Sequence, residues 1–384
     1  MQVTENKLCT GCRMCEKICP VQAIHMVENE EGFIYPEIDN NKCIKCNLCK
    51  RKCPQNEDEM KKNKDQIIMA VKNKESIEAK KSTSAGVSHV IAKEAIKKGY
   101  VVFGCVMDKE LNVYQKQIDK IEDLDLIRGS KYVFSDTKDT FLQAKQLLEE
   151  DKKVLYIGTP CQISGLKACL GKNYDNCITI DIVCHGVPSL KLFKTYIKNL
   201  EKKFNSRIIK YEFRNKDKVE WGRFCSKVCT NEKDYYINAD FDPYYYNFLK
   251  GTTYRESCYN CKYANFERQA DITLADFWGI EKVDKTFFDK NGVSLVIVNS
   301  IKGKKCLKEI EEYVEIKNYS KEDASKKNGN LLKPTERPSI RDFIYEEIDD
   351  SNYIKNKLKV NKNIKTILKL IIPQFMWKFY KKIF

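Results

Sequence analysis

Apolar and polar positions follow two different periods along most of this chain. Short strand-like runs at Ile67–Val71 and Tyr100–Met107 are interleaved with helical spacing from about Ala85 to Lys98 and from about Thr140 to Glu150. The pattern continues through strand-like runs at Val154–Ile157, Cys177–Val183, Ile208–Phe213, Ile272–Leu274 and Val293–Val298, and helical runs at Ile163–Leu170, Leu190–Phe204, Lys304–Tyr313 and Ile340–Ile348. Strands alternating with helices predict α/β layers.

The first 58 residues lack this alternation and contain a duplication instead. The string Cys9-x2-Cys12-x2-Cys15-x3-Cys19-Pro20 recurs as Cys43-x2-Cys46-x2-Cys49-x3-Cys53-Pro54, with every matching residue offset by 34 positions. Three thiolates at this spacing bind three irons of one [4Fe-4S] cubane, and the fourth cysteine normally serves the other cluster. Residues 1–58 are therefore predicted to form a bacterial-type dicluster ferredoxin that carries electrons.

The spacing assigns a ligand set to each of the two predicted clusters. One cluster takes Cys9, Cys12, Cys15 and Cys53, and the other takes Cys43, Cys46, Cys49 and Cys19. Zinc would need only four of these eight thiols, and disulfides suit a secreted chain. Iron and sulfide are favoured over both alternatives.

The rest of the composition constrains the setting of these clusters. The chain has 384 residues, which is too long for a free ferredoxin, and the polar stretch from Gln55 to Asp65 is predicted to be a linker. Its 18 cysteines and the absence of an apolar leader predict residence in a reducing cytoplasm. The formal net charge is +15, but Lys and Glu are mixed along most of the chain, so no nucleic-acid partner is expected.

The positive excess is concentrated in residues 351–384, which contain nine lysines and no acidic residue. Apolar residues recur there at roughly helical intervals, so a basic amphipathic helix is predicted. Such a helix lies on an anionic membrane as a peripheral contact or packs on protein, and the sequence leaves both open. The apolar run is shorter than the ~20 residues that a spanning helix requires.

A second set of cysteines lies where predicted strands end. Cys161 follows the strand Val154–Ile157, Cys184 follows the strand Cys177–Val183, and Cys258-x2-Cys261 comes later. Open α/β sheets bind ligands at the carboxyl ends of strands. These four thiols are candidate ligands of a third cubane, although the last pair also fits half a zinc site and lone cysteines are often inert core residues.

Several strings in this later region resemble the coenzyme F-420 hydrogenase/dehydrogenase beta-subunit family. They are Gly129-Ser130-Lys131-Tyr132-Val133, Gly158-Thr159-Pro160-Cys161-Gln162, Asp181-Ile182-Val183-Cys184-His185-Gly186-Val187-Pro188-Ser189, Phe213-Arg214-Asn215-Lys216 and Asp271-Ile272-Thr273-Leu274-Ala275-Asp276-Phe277-Trp278-Gly279. The resemblance covers roughly residues 66–300 and implies an α/β flavin and iron–sulfur domain with an N-terminal part at 66–155 and a C-terminal part at 156–330. The fold class expected for the whole chain is α+β.

The resemblance also implies cofactors. Family members carry a flavin, usually FAD, beside a [4Fe-4S] cluster, so Cys161, Cys184, Cys258 and Cys261 are expected to hold the third cluster. His185 adjoins Cys184 and is a candidate hydrogen-bond donor to a cluster sulfur.

The predicted flavin site begins with the turn at Ser82, Ser84 and Gly86, because a helix N-terminus with flanking hydroxyls suits a pyrophosphate. Relatives often have a Gly-Gly pair here, and Ala85 replaces its first glycine. The alternative is that the serines only cap the helix. Lys131 is a candidate for neutralising a flavin phosphate or the reduced ring, with a solvated lysine as the alternative.

A flavin accepts one or two electrons and so couples one-electron clusters to two-electron chemistry. We expect an oxidoreductase that passes electrons between an external ferredoxin-like carrier, the clusters, FAD, and a small organic substrate or a deazaflavin- or nicotinamide-type coenzyme. No residue selects the deazaflavin. The alternatives are a non-catalytic electron-transfer subunit that serves a partner enzyme, and a structural zinc protein fused to a ferredoxin.

Overall fold

The computed structural model describes residues 2–57, 63, 65–350, 352–358 and 360. The strands are β1 Ile24–Glu28, β2 Ile34–Ile38, β3 Ile67–Asn73, β4 Tyr100–Met107, β5 Val113–Ile118, β6 Lys153–Ile157, β7 Cys177–Ile182, β8 Ile208–Glu212, β9 Cys225–Thr230, β10 Asp234–Asn238, β11 Ile272–Asp276, β12 Ser294–Val298 and β13 Val314–Asn318. The α-helices are α1 Met14–Lys17, α2 Leu48–Arg51, α3 Ser76–Lys81, α4 Val87–Lys97, α5 Thr140–Glu149, α6 Pro160–Leu170, α7 Leu190–Phe204, α8 Pro243–Leu249, α9 Ile280–Val283, α10 Ile301–Lys308, α11 Lys321–Ser325, α12 Arg341–Tyr345 and α13 Tyr353–Lys357.

An eight-stranded mixed sheet forms the centre of the fold, in the order β13-β3-β12-β11-β7-β6-β4-β5. Four consecutive strands, β11, β7, β6 and β4, run parallel, while β12, β3, β13 and β5 each pair antiparallel with a neighbour. The parallel strands are almost continuously buried, as expected when helices cover both faces. Their carboxyl ends lead to the segments that contain Cys161, Cys184 and Asp276.

Alternate residues of the central strands enter two separate cores. On β6, Leu155 packs with the helices α4 and α10, whereas Tyr156 faces the opposite core with α5 and α6. The predicted α/β layering is therefore present as helix, sheet and helix.

The N-terminal segment consists of the β1–β2 hairpin and the one-turn helices α1 and α2. It packs on α6, where Met14 and Cys15 share a core with Ile163 and Leu166. The predicted linker also makes contacts at its start, since Gln55 donates from Nε2 to the Tyr263 hydroxyl at 3.2 Å. Much of the remainder, and most of the predicted basic helix at 351–384, lies outside the described residues.

The second half of the chain also forms a smaller antiparallel sheet, in the order β10-β9-β8. Together with α7 and α8, this sheet encloses a core rich in Tyr and Phe. Asp242 is fully buried in this core and accepts hydrogen bonds from the Tyr211 hydroxyl at 2.5 Å and the Tyr245 amide at 2.9 Å. The sequence predicts β8 of this sheet, and the strand-like pattern at residues 224–229 corresponds to β9, whereas β10 was not predicted.

Helix boundaries differ from the predictions where capping residues decide them. The helix predicted at Ile163–Leu170 begins three residues earlier, because Thr159 and Gln162 form a capping box with Pro160 at the first helical position. Cys161 consequently lies in the first turn of α6. The helix predicted at Lys304–Tyr313 is α10, Ile301–Lys308, followed by a short 3-10 turn. No helix within the described residues is long and apolar enough to cross a membrane.

Candidate redox site

The backbone repeats the duplication seen in the sequence. Gly11 and Arg13 have positive φ angles of 69° and 63°, and their counterparts 34 positions later, Lys45 and Asn47, have φ angles of 55° and 59°. The helices α1 and α2 begin directly after Arg13 and Asn47. Each pair of left-handed residues turns the chain back on itself, so that cysteines with two residues between them face a common centre.

The thiols of the first predicted set are neighbours in space. Cys15 interacts electrostatically with Cys12, Cys9 and Cys53, and Cys53 interacts with Cys12 and Cys9. Burial raises the pKa of Cys12 and of Cys53 to about 12. These thiols are protonated in the free protein, and a metal must displace their protons to bind them.

The second predicted set is also gathered, and it lies nearer the surface. Cys19, Cys43, Cys46 and Cys49 line one small cavity, and Cys49 interacts electrostatically with the other three. Cys46 is exposed and Cys43 is half-buried. Solvent therefore reaches this set directly.

A third group of thiols borders a cavity of about 960 Å³. Cys258 interacts electrostatically with Cys184, Cys261 and Cys161. Burial raises the pKa of Cys161 to about 11 and of Cys184 to about 12. The four thiols come from the first turn of α6, the end of β7 and one loop before β11, so the sheet topology brings them together.

Within the described ranges, no three or more His, Cys, Asp or Glu side chains are close enough to hold a single metal ion. Cubane ligands do not converge in that way, because each thiolate binds a different iron. Four separate thiols around a shared space fit a cluster better than they fit zinc.

Cys12 is the contact between the first and third sets. Its electrostatic neighbours include both Cys9 and Cys161, and it lines the large cavity. The thiol lies against α6 at Gly165, where a Cβ atom would be 3.0 Å from Cys12 Sγ. Only a residue without a side chain leaves room for this approach.

A buried arginine joins the same two regions. Arg255 is 1% exposed and donates from Nε to the Cys9 carbonyl at 2.6 Å and from Nη2 to the Ile34 carbonyl at 2.8 Å. Its own backbone carbonyl accepts from the Cys258 amide at 2.9 Å. Its Nη1 atom is buried without a hydrogen-bond partner. An uncompensated buried cation with a free donor fits an anionic group between these thiols.

A second buried arginine holds the loops of the third set. Arg268 donates from Nη2 to the Ile182 carbonyl at 2.7 Å, just before Cys184, and from Nη1 to the Tyr263 carbonyl at 2.7 Å, just after Cys261. It also pairs with the buried Asp181 at 3.1 Å. The sequence drew attention to neither arginine, since both act on partners distant in the chain.

The predicted flavin turn borders the same cavity. Ser82, Ser84, Gly86 and Lys131 all line it. Gly86 is the N-cap of α4 with φ 79°, and a Cβ atom there would be 2.7 Å from Ser82 Oγ. Neither serine caps the helix: Ser82 donates to the Glu78 carbonyl at 3.0 Å, and Ser84 Oγ is buried without a partner. The capping alternative is wrong.

Other details of this turn limit what it can bind. The Ala85 amide donates to Ser294 Oγ at 3.2 Å, so this amide already has a partner within the protein. Lys131 donates to the carbonyls of Arg128 at 2.9 Å and Leu126 at 3.1 Å, and burial lowers its pKa. The ammonium group is held by backbone and is not simply solvated. The orphaned Ser84 hydroxyl and a cavity of dinucleotide size fit a flavin.

Two further features of the cavity were not predicted. His89 lines it with Nδ1 buried and unpartnered, and burial together with the Arg128 charge lowers its pKa to about 4. Arg214 forms a bidentate pair with Asp276, at 2.6 Å and 3.0 Å. Burial alone would lower the pKa of Arg214, but the carboxylate raises it.

Aromatic rings surround this ion pair. Trp221 and Trp278 stack at 4.9 Å between ring centroids, and Trp221 Nε1 donates to Asp276 at 2.6 Å. These groups give one end of the cavity a polar centre with apolar walls. The His185 ring interacts with Asn330, and its contact with a cluster sulfur stays a prediction.

Comparison with known proteins identifies both parts of the chain. Residues 8–57 match the family model for the 4Fe-4S dicluster domain, and residues 151–322 match the family model for the carboxyl-terminal part of the coenzyme F420 hydrogenase/dehydrogenase beta subunit. Residues 8–57 are therefore similar to a dicluster ferredoxin, and residues 151–322 are similar to part of an F420 hydrogenase/dehydrogenase beta subunit. The resemblance predicted from sequence is confirmed, and the iron–sulfur clusters of the dicluster domain are supported.

The beta-subunit match begins at residue 151, so the predicted flavin residues Ser82, Ser84, Gly86 and Lys131 precede it. Among solved structures, the F420-reducing [NiFe] hydrogenase complex from Methanosarcina barkeri is similar with a TM-score of 0.45 and 17% identity over 65% of this chain and 81% of that one. No curated protein matches the chain.

Proposed function

We propose that this protein is an iron–sulfur flavoprotein oxidoreductase in which three sets of thiols connect the surface to a flavin and substrate cavity. The observation that carries the proposal is the position of Cys12, which has Cys9 and Cys161 as electrostatic neighbours and also lines the 960 Å³ cavity. The dicluster domain and the cavity are therefore in direct contact. A purely structural ferredoxin fusion gives no reason for this contact.

The chemistry that these groups supply when bound is one-electron transfer by clusters and a change between one and two electrons by a flavin. Cys161, Cys184, Cys258 and Cys261 would hold the third cluster, and Arg268 keeps their loops together. Ser84 and the α4 N-terminus at Gly86 would bind the flavin pyrophosphate. Lys131 stays close to the cavity as a backbone-held cation.

The substrate end of the cavity is best assigned to the Trp221, Trp278 and Arg214 group. Stacked indoles accept a planar ring, and Arg214 is fixed by Asp276 with its guanidinium also lying over Trp278 at 5.1 Å. This arrangement suits a planar organic substrate or coenzyme. Neither a deazaflavin nor a nicotinamide is singled out by it.

Anaerobic reconstitution with iron, sulfide and FAD tests the proposal. Three cubanes require about 12 irons per chain, and one FAD should be retained after gel filtration. Fewer than about eight irons, or no retained flavin, would overturn it.

Ser84→Ala should weaken FAD retention, while Ser76→Ala, at the exposed start of α3 and outside the cavity lining, is the control. Gly292→Ala should weaken retention more strongly, because its Cβ would be 2.8 Å from the Ser84 backbone. If the loaded protein reduces or oxidises no small molecule, it is an electron-transfer subunit of a partner enzyme.

A further inference from the structure

The second thiol set presents an exposed face that the first set lacks. Cys46 is exposed, and Ile44 beside it is 61% exposed. In contrast, Cys9 and Cys15 are buried beneath the beta-subunit domain. An isolated exposed isoleucine is ordinary, but this one lies next to a predicted cluster ligand.

This outer face is defined by Ile44, Cys46 and the five cations of residues 42–52, namely Lys42, Lys45, Lys50, Arg51 and Lys52. All five cations are exposed, and residues 42–52 contain no Asp or Glu. Their formal charge is +5, whereas residues 8–18, the matching segment of the first copy, hold Arg13, Lys17 and Glu16 and sum to +1. The two copies of the duplication therefore differ in charge.

The cations of the outer face are largely unengaged. Lys42 lies 3.9 Å from Asp39, and Arg51 donates to the Cys46 carbonyl at 2.9 Å. In the part of the chain that the structure describes, the ammonium groups of Lys45, Lys50 and Lys52 make no ion pair or hydrogen bond. They do not stabilise the fold through such contacts.

Lys45 adds a conformational argument. It has a φ angle of 55°, and its counterpart in the first copy is Gly11. A lysine in the left-handed region has a steric cost that glycine avoids. The second copy therefore places a charged residue where backbone energetics favour glycine.

We propose that the outer face is the docking site of a small acidic one-electron carrier, and this inference rests on the proposed function because it requires a cluster behind Cys46. Five exposed cations in the same short segment as an exposed apolar residue suit the polar rim and apolar centre of a transient interface. Opposite charges steer such encounters and raise association rates. The carrier loses one electron, the cluster held by Cys19, Cys43, Cys46 and Cys49 gains it, and no bond forms or breaks.

Binding of an acidic 2[4Fe-4S] ferredoxin to the reconstituted full chain tests the inference, with association and dissociation rates measured by stopped flow. The test variant combines Lys45→Glu, Lys50→Glu and Lys52→Glu. The matched control combines Lys116→Glu and Lys120→Glu with Lys304→Glu, which are exposed lysines outside the dicluster domain. Both variants change the net charge equally.

The association rate constant of the test variant should fall roughly 10-fold or more at about 0.01 M ionic strength, and the control should change by less than about twofold. The difference should shrink at about 0.15 M salt, where the Debye length is ~8 Å. Dithionite should reduce both variants to the same extent, because it does not need the docking site.

Equal association rates for the test variant and the control would overturn the docking site while leaving the proposed function intact. Failure of the ferredoxin to bind the wild-type chain would also overturn it, as would binding of the outer face to anionic vesicles in place of the ferredoxin. Wild-type protein without iron and sulfide would instead overturn the proposed function.

Discussion

The two cysteine repeats began as one sequence pattern and now occupy opposite environments. The first repeat is pressed against α6 and held by Arg255, while the second leaves Cys46 exposed in a segment that also contains five exposed cations. Backbone geometry is common to both, down to the positive φ angles at Gly11 and Lys45. The difference teaches that ligand geometry is set locally by the motif, whereas the side chains between the ligands decide what each cluster site can contact.

Removal of one ligand from each repeat should give the largest effects. Cys12→Ser and Cys46→Ser are each expected to lower the iron content by about four atoms per chain. In Cys12→Ser the outer cluster should still be reduced by the carrier, but the electron should not reach the flavin, because Cys12 is the contact with Cys161. Cys46→Ser should not show this combination. Iron analysis and flavin bleaching under dithionite or carrier check this, and equal behaviour of both variants would contradict it.

Arg255→Met tests whether a buried cation affects the clusters more than an exposed cation does. Loss of the side chain leaves the Cys9 and Ile34 carbonyls unpaired, and each buried orphan costs about 1–3 kcal/mol. The missing charge should also make the inner clusters harder to reduce, because a cation favours the reduced, more negative state.

The control for that change is Arg51→Met, which removes an exposed and screened charge beside the outer set. An EPR-monitored redox titration should show a lower inner midpoint potential for Arg255→Met and little shift for Arg51→Met. A comparable shift in both variants would mean that burial of Arg255 has no special effect.

Gly165→Ala tests how tightly the first repeat is packed. Alanine gains about 1 kcal/mol in helix propensity, but overpacking against Cys12 and Phe141 costs about 1–3 kcal/mol, so a net loss of up to about 2 kcal/mol is expected. The loss should be greater in reconstituted protein, where Cys12 cannot move aside. Gly329→Ala, with open space at its Cβ position, should change unfolding free energy by less than about 0.5 kcal/mol.

Ile44→Ser should have the smallest effect and act only on the second repeat. Its side chain is 61% exposed, so stability should stay within about 0.5 kcal/mol of wild type. Dissociation of an acidic ferredoxin should be accelerated a few-fold, because an apolar contact at the centre of an interface acts mainly on that rate. Unchanged dissociation would remove Ile44 from the docking site.

Much of this arrangement was readable from the sequence because it depends on local spacing. The duplication, the alternation of strands and helices, and cysteines placed at strand ends required no knowledge of distant contacts. The early start of α6 was also encoded locally, in Thr159, Pro160 and Gln162. The pairing of ligand sets and the flavin residues stay predictions.

The remainder could not be predicted because it depends on pairs far apart in the chain. Arg255 bonds to Cys9 across 246 positions, and no periodicity signals such a contact. The sequence also could not show which repeat packs against α6 and which faces solvent, since both contain the same cysteine string. Ser82 and Ser84 were ambiguous for another reason: serines near a helix start are usually caps, and here Gly86 has that position.

Cys161 and Gly165 lie one turn apart on α6, about 6 Å along its axis. The same helix therefore holds a predicted ligand of the third set and contacts the inner cysteine of the first. No domain movement is needed to bring the first and third sets together. The rate of electron transfer between them should therefore be independent of solvent viscosity, even when the rate of delivery by an external carrier is not.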